Sequence, residues 1–437
     1  MAMSVVTRTG SCLIQPSGET PPLAALELSV MDRIPVLRCY ARTLHVFRSG
    51  GCDASRVIKD ALGKALVPYY PLAGRLREPA PGQVVVECTN EGVWFVEAST
   101  THTLESVDYF DDVVTVPYDD LLPEVPSAGW ESGEPLVQMQ VTEFACGGFV
   151  IGLVFCHTIC DGLGAAQFLS AVSEFARGLE SPTVKPVWSR DFLPPREVLA
   201  TDLAIPPSLP PIPNYQLQSV NIDILIDRID LLKQSYNKRT SCQCSTFEAV
   251  SALFWKSRTE EITSHDDAKP DSSSLQQTQT LVFFANCRHL MSPPLPEGFY
   301  GNCFFPVTIT ASSESLYKSS LHEVIDMIQE AKGRVATEFE KFAKGEYVDD
   351  PFAPPMGYMT LFLSEWGRLG FNEVDYGWGV PVHVIPVQGS AVQPAGILGR
   401  LPLPRKGVRL MTWCVAEGHG TRLLKCMKQC EDQCDFL

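Results

Sequence analysis

The chain has few positively charged residues relative to negatively charged ones. Its 437 residues include 35 Lys and Arg against 51 Asp and Glu, which gives a formal net charge of −16. A nucleic-acid-binding protein needs a basic surface to neutralise phosphates, so a general role of that kind is disfavoured. A local basic patch for a phosphorylated ligand stays compatible with this balance.

Long apolar runs are also missing. No stretch has the length and apolar content needed to cross a bilayer, and the start, MAMSVVTRTG, lacks the apolar core of a signal peptide. The 15 cysteines are scattered and odd in number, which argues against a disulfide framework. We therefore expect a cytoplasmic protein with reduced thiols and no membrane span.

The length and the prolines predict the domain organisation. A chain of 437 residues is too long for one ordinary core, so two domains are expected. Nine prolines fall between Pro182 and Pro213, a density that no helix or central strand tolerates. We predict a first domain over residues 1–180, an extended crossover over 181–215 and a second domain over 216–437.

The stretch from Gly148 to Gly164 is the most informative part of the sequence. Phe149 to Phe155 is a continuous apolar run, typical of a buried strand, and it stops at His157. From Leu163 the apolar residues recur with helical spacing until Gly178. His157 is thus predicted where a rigid strand ends and a turn begins, a location that suits a catalytic group.

Elsewhere the patterns predict elements of ordinary kinds. Residues 1–25 look irregular, residues 84–88 and 92–96 look like paired strands, and Ile222 to Tyr236 looks helical. Ser245 with Glu248 forms a capping box that starts a helix. One long amphipathic helix is predicted over 315–339, and strands over 382–387, 395–401 and 408–415.

Several chemistries are open to His157. Histidine is the side chain best suited to take a proton near neutral pH, although a lone histidine at a strand end is often structural. No G-x-S-x-G elbow is present, so a hydrolase of that type is unsupported. Cys156 is a candidate nucleophile. However, adjacent residues on a strand point to opposite faces, so Cys156 and His157 are poorly placed to form a Cys–His pair. Cys156, His157 and Cys160 lack a second ligand pair at the spacing of a zinc site.

Two motifs considered together are more specific. His157 to Gly162 reads HTICDG, an H-x-x-x-D-G motif, and Asp375 to Gly379 reads DYGWG, close to D-F-G-W-G. At this length and separation the pair resembles the BAHD family of plant acyl-CoA-dependent acyltransferases. Four further stretches fit the family: Leu28-Ser29 with Asp32, Tyr70 to Arg75, Ser245 to Glu248, and Tyr300 to Asn302. The chain is most similar to the branch that holds p-coumaroyl-CoA monolignol transferases, benzyl-alcohol benzoyltransferases and taxane acetyltransferases.

The resemblance implies an α/β fold like that of chloramphenicol acetyltransferase. Two domains, each a mixed sheet with flanking helices, would enclose a channel with His157 at its middle. Acyl-CoA would enter from one face as co-substrate and the acceptor from the other. The resemblance also implies a monomer with no metal and no tightly bound cofactor.

It further implies roles for individual residues. His157 would be the general base, with the Trp378 indole as an oxyanion donor. Asp161 would point away from the channel and pair with Arg288. The structural loop would comprise Asp375, Gly377 and Gly379, and the contacts to CoA would come from Ser245 and Thr246.

The function expected from these observations is acyl transfer from CoA to an alcohol in plant specialised or cell-wall metabolism. A hydroxycinnamoyl donor such as p-coumaroyl-CoA is favoured over benzoyl and acetyl donors. Val380 stands where several shikimate-using relatives carry an arginine, which favours a neutral acceptor over an acidic one. The alternatives are N-acylation of a polyamine or aryl amine, and a catalytically idle CoA-thioester-binding interaction protein.

Overall fold

Two six-stranded mixed sheets organise the protein. The computed structural model describes residues 6–50, 53–80, 83–111, 116–124, 126, 133–193, 215–263, 275–347, 350–387 and 393–432. Its strands are β1 (Val6–Ile14), β2 (Ala25–Glu27), β3 (Tyr40–Phe47), β4 (Arg75–Ala80), β5 (Gln83–Glu87), β6 (Val93–Thr100), β7 (Val137–Phe144), β8 (Phe149–Cys156), β9 (Leu217–Leu225), β10 (Thr278–Asn286), β11 (Phe304–Ser312), β12 (Thr360–Glu365), β13 (His383–Pro386), β14 (Ala395–Arg400) and β15 (Gly407–Ala416). Its α-helices are α1 (Ala54–Ala65), α2 (Gly162–Ala176), α3 (Ile226–Thr240), α4 (Thr246–Thr263), α5 (Ser313–Lys318), α6 (Leu321–Ala343) and α7 (Gly420–Asp432).

The first sheet has the strand order β1-β6-β7-β8-β3-β13. Every residue of β8 is buried, as its unbroken apolar run predicts, and β8 pairs antiparallel with both β3 and β7. Alternate side chains of β8 face opposite sides of the sheet. On one side, the core that α1 and α2 share contains Phe149, Ile151, Leu153 and Phe155. Because it is held on both edges and both faces, β8 is a rigid support for the turn that follows it.

The second half of the chain contributes a strand to the first sheet. β13 pairs antiparallel with β3, from His383 opposite Val46 to Pro386 opposite Thr43. Phe371, Val374 and Tyr376 also lie in the first core. The prediction that residues 216–437 form one separate domain is therefore wrong for this segment, because the chain crosses back and closes the edge of the first sheet.

The second sheet has the order β11-β10-β12-β14-β15-β9, and α4 contacts α6 and α7 beside it. Here the helix predicted from Ile222 is wrong in its first part. Val220, Ile222 and Ile224 are buried and the residues between them are exposed, which is the period of a strand, so β9 runs to Leu225 before α3 begins.

Other predicted elements also differ. Residues 6–14 form β1 where irregular chain was expected. Residues 84–88 and 92–96 are not partners, since β5 pairs with β2 and β4 while β6 pairs with β1 and β7. The long helix is divided at Ser320, which caps α6. The structure describes the predicted crossover as far as residue 193, and residues 194–214 lie outside the described residues. Within the described part, Val187 forms a β-bridge with Phe299.

Candidate active site

His157 immediately follows β8 and is surrounded by residues from both halves of the chain. Its backbone N–H donates to the Cys39 carbonyl at 2.9 Å. The Phe304 ring from β11 meets the imidazole edge-on, with centroids 6.4 Å apart. The imidazole Nδ1 is buried and has no hydrogen-bond partner among the described residues. A side chain held this way lies between the two sheets and can meet a ligand from either half.

Asp161 caps the N-terminus of α2. One carboxylate oxygen accepts from the Gly164 N–H at 3.0 Å and from the Arg288 guanidinium at 2.8 Å. The other accepts from the Cys303 N–H at 3.3 Å. The expected Asp161–Arg288 pair is therefore present and ties the turn after β8 to the second half of the chain, while Asp161 makes no triad with His157.

Cys156 is a poor nucleophile in this setting. Its side chain is buried in the first core beside Ile159 and Cys160. Burial raises the pKa of the Cys156 thiol to about 11, so the thiolate that nucleophilic attack requires is scarce near neutral pH. The alternative of a nucleophilic Cys156 is therefore disfavoured.

The Asp375–Gly379 loop is closed by its own aspartate. Asp375 accepts from the N–H groups of Gly377 at 2.7 Å and Gly379 at 2.9 Å. Both glycines have positive φ, +104° and +95°, a conformation that residues with a Cβ rarely adopt. Arg177 of the first half donates to the Asp375 carbonyl, so this loop stabilises the packing of the two halves.

Trp378 does not lie beside His157. Its ring packs edge-on against Phe149, with centroids 5.8 Å apart, and its carbonyl accepts from Ser49. Phe149 begins β8 whereas His157 follows its end, a separation of roughly 26 Å for an extended strand. The prediction that the Trp378 indole donates to an oxyanion at His157 is therefore wrong, because the strand between them places the two side chains at opposite ends.

Ser245 and Thr246 stand at the start of α4. The capping box is confirmed: Glu248 N–H donates to Ser245 Oγ at 3.2 Å, and Ser245 N–H donates to the Glu248 carboxylate at 2.8 Å. The preceding residue, Cys244, lines a surface pocket of about 430 Å³ together with Lys233 and Lys238. Two lysines beside a helix start suit an anionic ligand, although Asp230 also lines the pocket.

Sequence reasoning assigned no role to several residues that surround His157. Asn302 hydrogen-bonds the His157 carbonyl, Asp32 and Arg190 are buried behind it, and Phe284 extends the aromatic surface that begins at Phe304. Asp32 and Asn302 belong to stretches of the sequence that fit the family, and that resemblance is the only feature of the sequence that indicated them. Arg190 lies in the Pro-rich crossover and carried no signal at all.

The fold and this site define an α/β protein of two mixed sheets with a histidine between them. Among solved structures the chain is similar to vinorine synthase, with a TM-score of 0.70, 23% identity and coverage of 95% of this chain and 96% of that one. It is also similar to TRI101 of F. sporotrichioides, solved with coenzyme A and T-2, with a TM-score of 0.68, 14% identity and coverage of 91% and 96%. The predicted chloramphenicol-acetyltransferase-like fold is thereby confirmed.

Sequence comparison identifies the family. The model of the Transferase family matches residues 4–403. Acyl transferase 4 of Oryza sativa subsp. japonica is 43% identical, over 95% of this chain and 96% of its own. The 3'-N-debenzoyl-2'-deoxytaxol N-benzoyltransferase of Taxus canadensis is 34% identical, over 90% and 89%. The chain therefore belongs to the Transferase family of BAHD acyltransferases, as its two motifs predicted.

None of the helices in the described part of the chain combines the length and the apolar content that a membrane crossing requires.

Proposed function

We propose that this protein transfers an acyl group from an acyl-CoA to an alcohol, with His157 as the general base. The observation that carries the proposal is the placement of His157 between the two sheets, contacted by Cys39 from the first half and by Asn302 and Phe304 from the second. A base in this position can reach a thioester and an acceptor that enter from different sides.

The reaction needs no covalent enzyme intermediate. His157 takes the proton of the acceptor hydroxyl as its oxygen attacks the thioester carbonyl carbon. The tetrahedral intermediate then collapses, the carbon–sulfur bond breaks, and the departing CoA thiolate takes the proton from His157. General-base assistance of this kind contributes roughly a hundred- to ten-thousandfold, with positioning of the two substrates supplying much of the rest.

The surface beside His157 supports an aromatic acyl donor. Phe304 meets the His157 ring, Phe284 meets Phe304 edge-on at 5.3 Å, and Phe362 stacks beside Phe284 at 6.4 Å. Phe284 is 43% exposed although it lies on a strand of the sheet. A row of phenyl rings with one open face offers stacking to a planar acyl group, so a hydroxycinnamoyl donor such as p-coumaroyl-CoA is favoured over an acetyl donor.

The CoA portion is assigned to the second half of the chain. Ser245 and Thr246 begin α4 beside the pocket that contains Lys233 and Lys238, and the phosphates of CoA are the anions such a pocket would hold. The acceptor is proposed to be a neutral alcohol, since Val380 supplies no cationic group for a carboxylate. The N-benzoyltransferase relative makes an amine acceptor the second candidate.

Release of free thiol from acyl-CoAs tests the proposal. Acetyl, benzoyl, p-coumaroyl, caffeoyl and feruloyl thioesters are each combined with mixed alcohols or mixed amines. We expect acceptor-dependent release that falls by roughly a hundredfold or more in His157→Ala. The control is His102→Ala, which removes another half-buried histidine that lies in the first half of the chain and should leave the rate unchanged.

Each other outcome has a distinct meaning. Release without acceptor would identify a thioesterase, and release only with amines would identify N-acylation. No release from any pair, together with CoA binding in calorimetry, would favour the catalytically idle binder.

A further inference from the structure

Asp32 is a fully buried carboxylate that gathers donors from three separate stretches of the chain. Its exposed fraction is 0%. It accepts from the Ser29 N–H and hydroxyl at 3.0 and 2.7 Å, from Arg190 Nη1 at 3.0 Å, and from the Asn302 N–H and Nδ2 at 3.1 and 2.8 Å. A buried charge is costly unless it is paired and hydrogen-bonded, and here it is both.

The partners of Asp32 hold the turn that carries His157. Asn302 Nδ2, besides its bond to Asp32, donates to the His157 carbonyl at 3.0 Å and lies 3.3 Å from the Thr158 carbonyl. Arg190 Nη2 donates to the Ile159 carbonyl at 2.9 Å. Three consecutive carbonyl groups are thus bound by two side chains, and one carboxylate orients both of them.

Packing restricts Arg190 to this position. Its guanidinium lies over the rings of Trp188, Phe299 and Tyr300, at 5.4, 5.4 and 5.6 Å from their centroids. A Cβ added at Gly301 would lie 1.6 Å from Arg190 Nη1, so only glycine allows the guanidinium to pass. The group cannot shift to a second rotamer without displacing this packing.

The imidazole of His157 has no such support of its own. Its Nδ1 is buried without a partner among the described residues, and the nearby Asp161 is committed to Arg288, Gly164 and Cys303. In histidine-dependent enzymes a carboxylate bound to the ring often orients the base. Here the ring packs against Phe304, and the polar contacts that can orient it are those to the backbone of the turn.

We propose that Asp32, acting through Asn302 and Arg190, is the positioning group for His157 in place of a carboxylate bound to the imidazole. The inference rests on the proposed role of His157 as the general base. Asp32 and Asn302 are positioning residues, since they contact the backbone of the turn and not the reacting atoms.

Asn302→Leu is the variant that tests the positioning role. Asp32→Asn by itself is less suitable, because it would also leave the buried Arg190 charge without its carboxylate partner. Gln279→Leu is the matched control: it removes another fully buried side-chain amide of the second half, one that donates to Ser313. We expect Asn302→Leu to lower kcat roughly a hundredfold while both KM values stay within about threefold of wild type. Gln279→Leu should lose stability without that loss of kcat.

Two measurements separate positioning from a loss of folded protein. The stoichiometry of CoA binding in calorimetry gives the folded fraction, to which kcat is normalised. Hydrogen exchange of the His157 and Ile159 amides, which bond the carbonyls of Cys39 and Cys156, should be about tenfold faster in Asn302→Leu than in Gln279→Leu. In the double variant with Asp32→Asn the losses in kcat should be clearly less than additive, because the two residues act as one unit.

The proposal is overturned if normalised kcat is unchanged in Asn302→Leu, or if exchange of these amides matches the control. Failure of the proposed function would look different. If His157→Ala kept full activity, the base assignment would fail, whereas the exchange experiment would still report whether Asp32 and Asn302 hold the turn.

Discussion

Phe284 is an aromatic side chain whose exposure is unusual for its position. It is 43% exposed on β10 and contacts Phe304, which in turn contacts His157. If its open face stacks on the acyl group, Phe284→Ala should raise KM roughly three- to tenfold for p-coumaroyl-CoA and benzoyl-CoA, because an aromatic pair contributes about 0.5–1.5 kcal/mol beyond its buried area. Steady-state kinetics with acetyl-CoA should show little change.

Tyr317→Ala is the control for this prediction. Tyr317 is an aromatic residue with a similar exposed fraction, 41%, on α5. Its removal should affect neither donor. An equal rise in KM for acetyl-CoA in Phe284→Ala would show that the phenyl ring supports the sheet and does not select the donor.

At the scale of elements, the Asp375–Gly379 loop is a structural connection between the halves. Asp375→Ala removes the acceptor of two hydrogen bonds that hold two glycines at positive φ, so the free energy of unfolding should fall by about 1–3 kcal/mol. Asp375→Asn keeps one oxygen acceptor and should lose less. Urea unfolding of the three proteins measures the difference.

Activity distinguishes this loop from the turn at His157. Because Trp378 packs at the far end of β8, the activity lost in Asp375→Ala should follow the loss of folded protein. His157→Ala should show the reverse pattern, with wild-type stability and little turnover. A tenfold or larger fall in normalised kcat at unchanged stability would show that the loop acts on the reaction centre.

At the scale of the whole molecule, two buried histidines make stability depend on pH. Burial lowers the pKa of His45 to about 3 and that of His383 to about 4. In the unfolded chain a histidine binds a proton below about pH 6.5, whereas in the folded protein these two stay neutral until the pH is far lower. Their contribution is complete above about pH 6.5 and is lost as the pH falls toward about 4 for His383 and about 3 for His45.

His383→Asn should therefore reduce the acid sensitivity of folding. Between about pH 6.5 and pH 5 the wild type should lose roughly 1.4 kcal/mol per pH unit more than the variant, because the variant has no proton to take up at this position. Urea midpoints at several pH values give the comparison. The control is His289→Asn, a change at an exposed histidine, in which the free energy of unfolding should depend on pH as in the wild type. The prediction would be contradicted if His383→Asn showed that same dependence on pH.

Local patterns account for much of the fold. The apolar run of β8, the helical spacing of α2 and the capping box at Ser245 each depend on residues close together in sequence, and each is present as predicted. The helix predicted from Ile222 started four residues too early. Val220, Ile222 and Ile224 alternate with polar residues and belong to the end of β9, which pairs with β15, and the helix itself begins at Ile226.

What the sequence determined by itself is the family, the order of most elements and the histidine at the end of a buried strand. Only the tertiary structure decided that β13 joins the first sheet, that Trp378 lies far from His157, and that Asp32 meets Asn302 across 270 residues of chain. The physical reason is that these contacts depend on how the two sheets pack together. Hydrogen-bond partners so distant in sequence leave no periodicity or spacing from which they could be predicted.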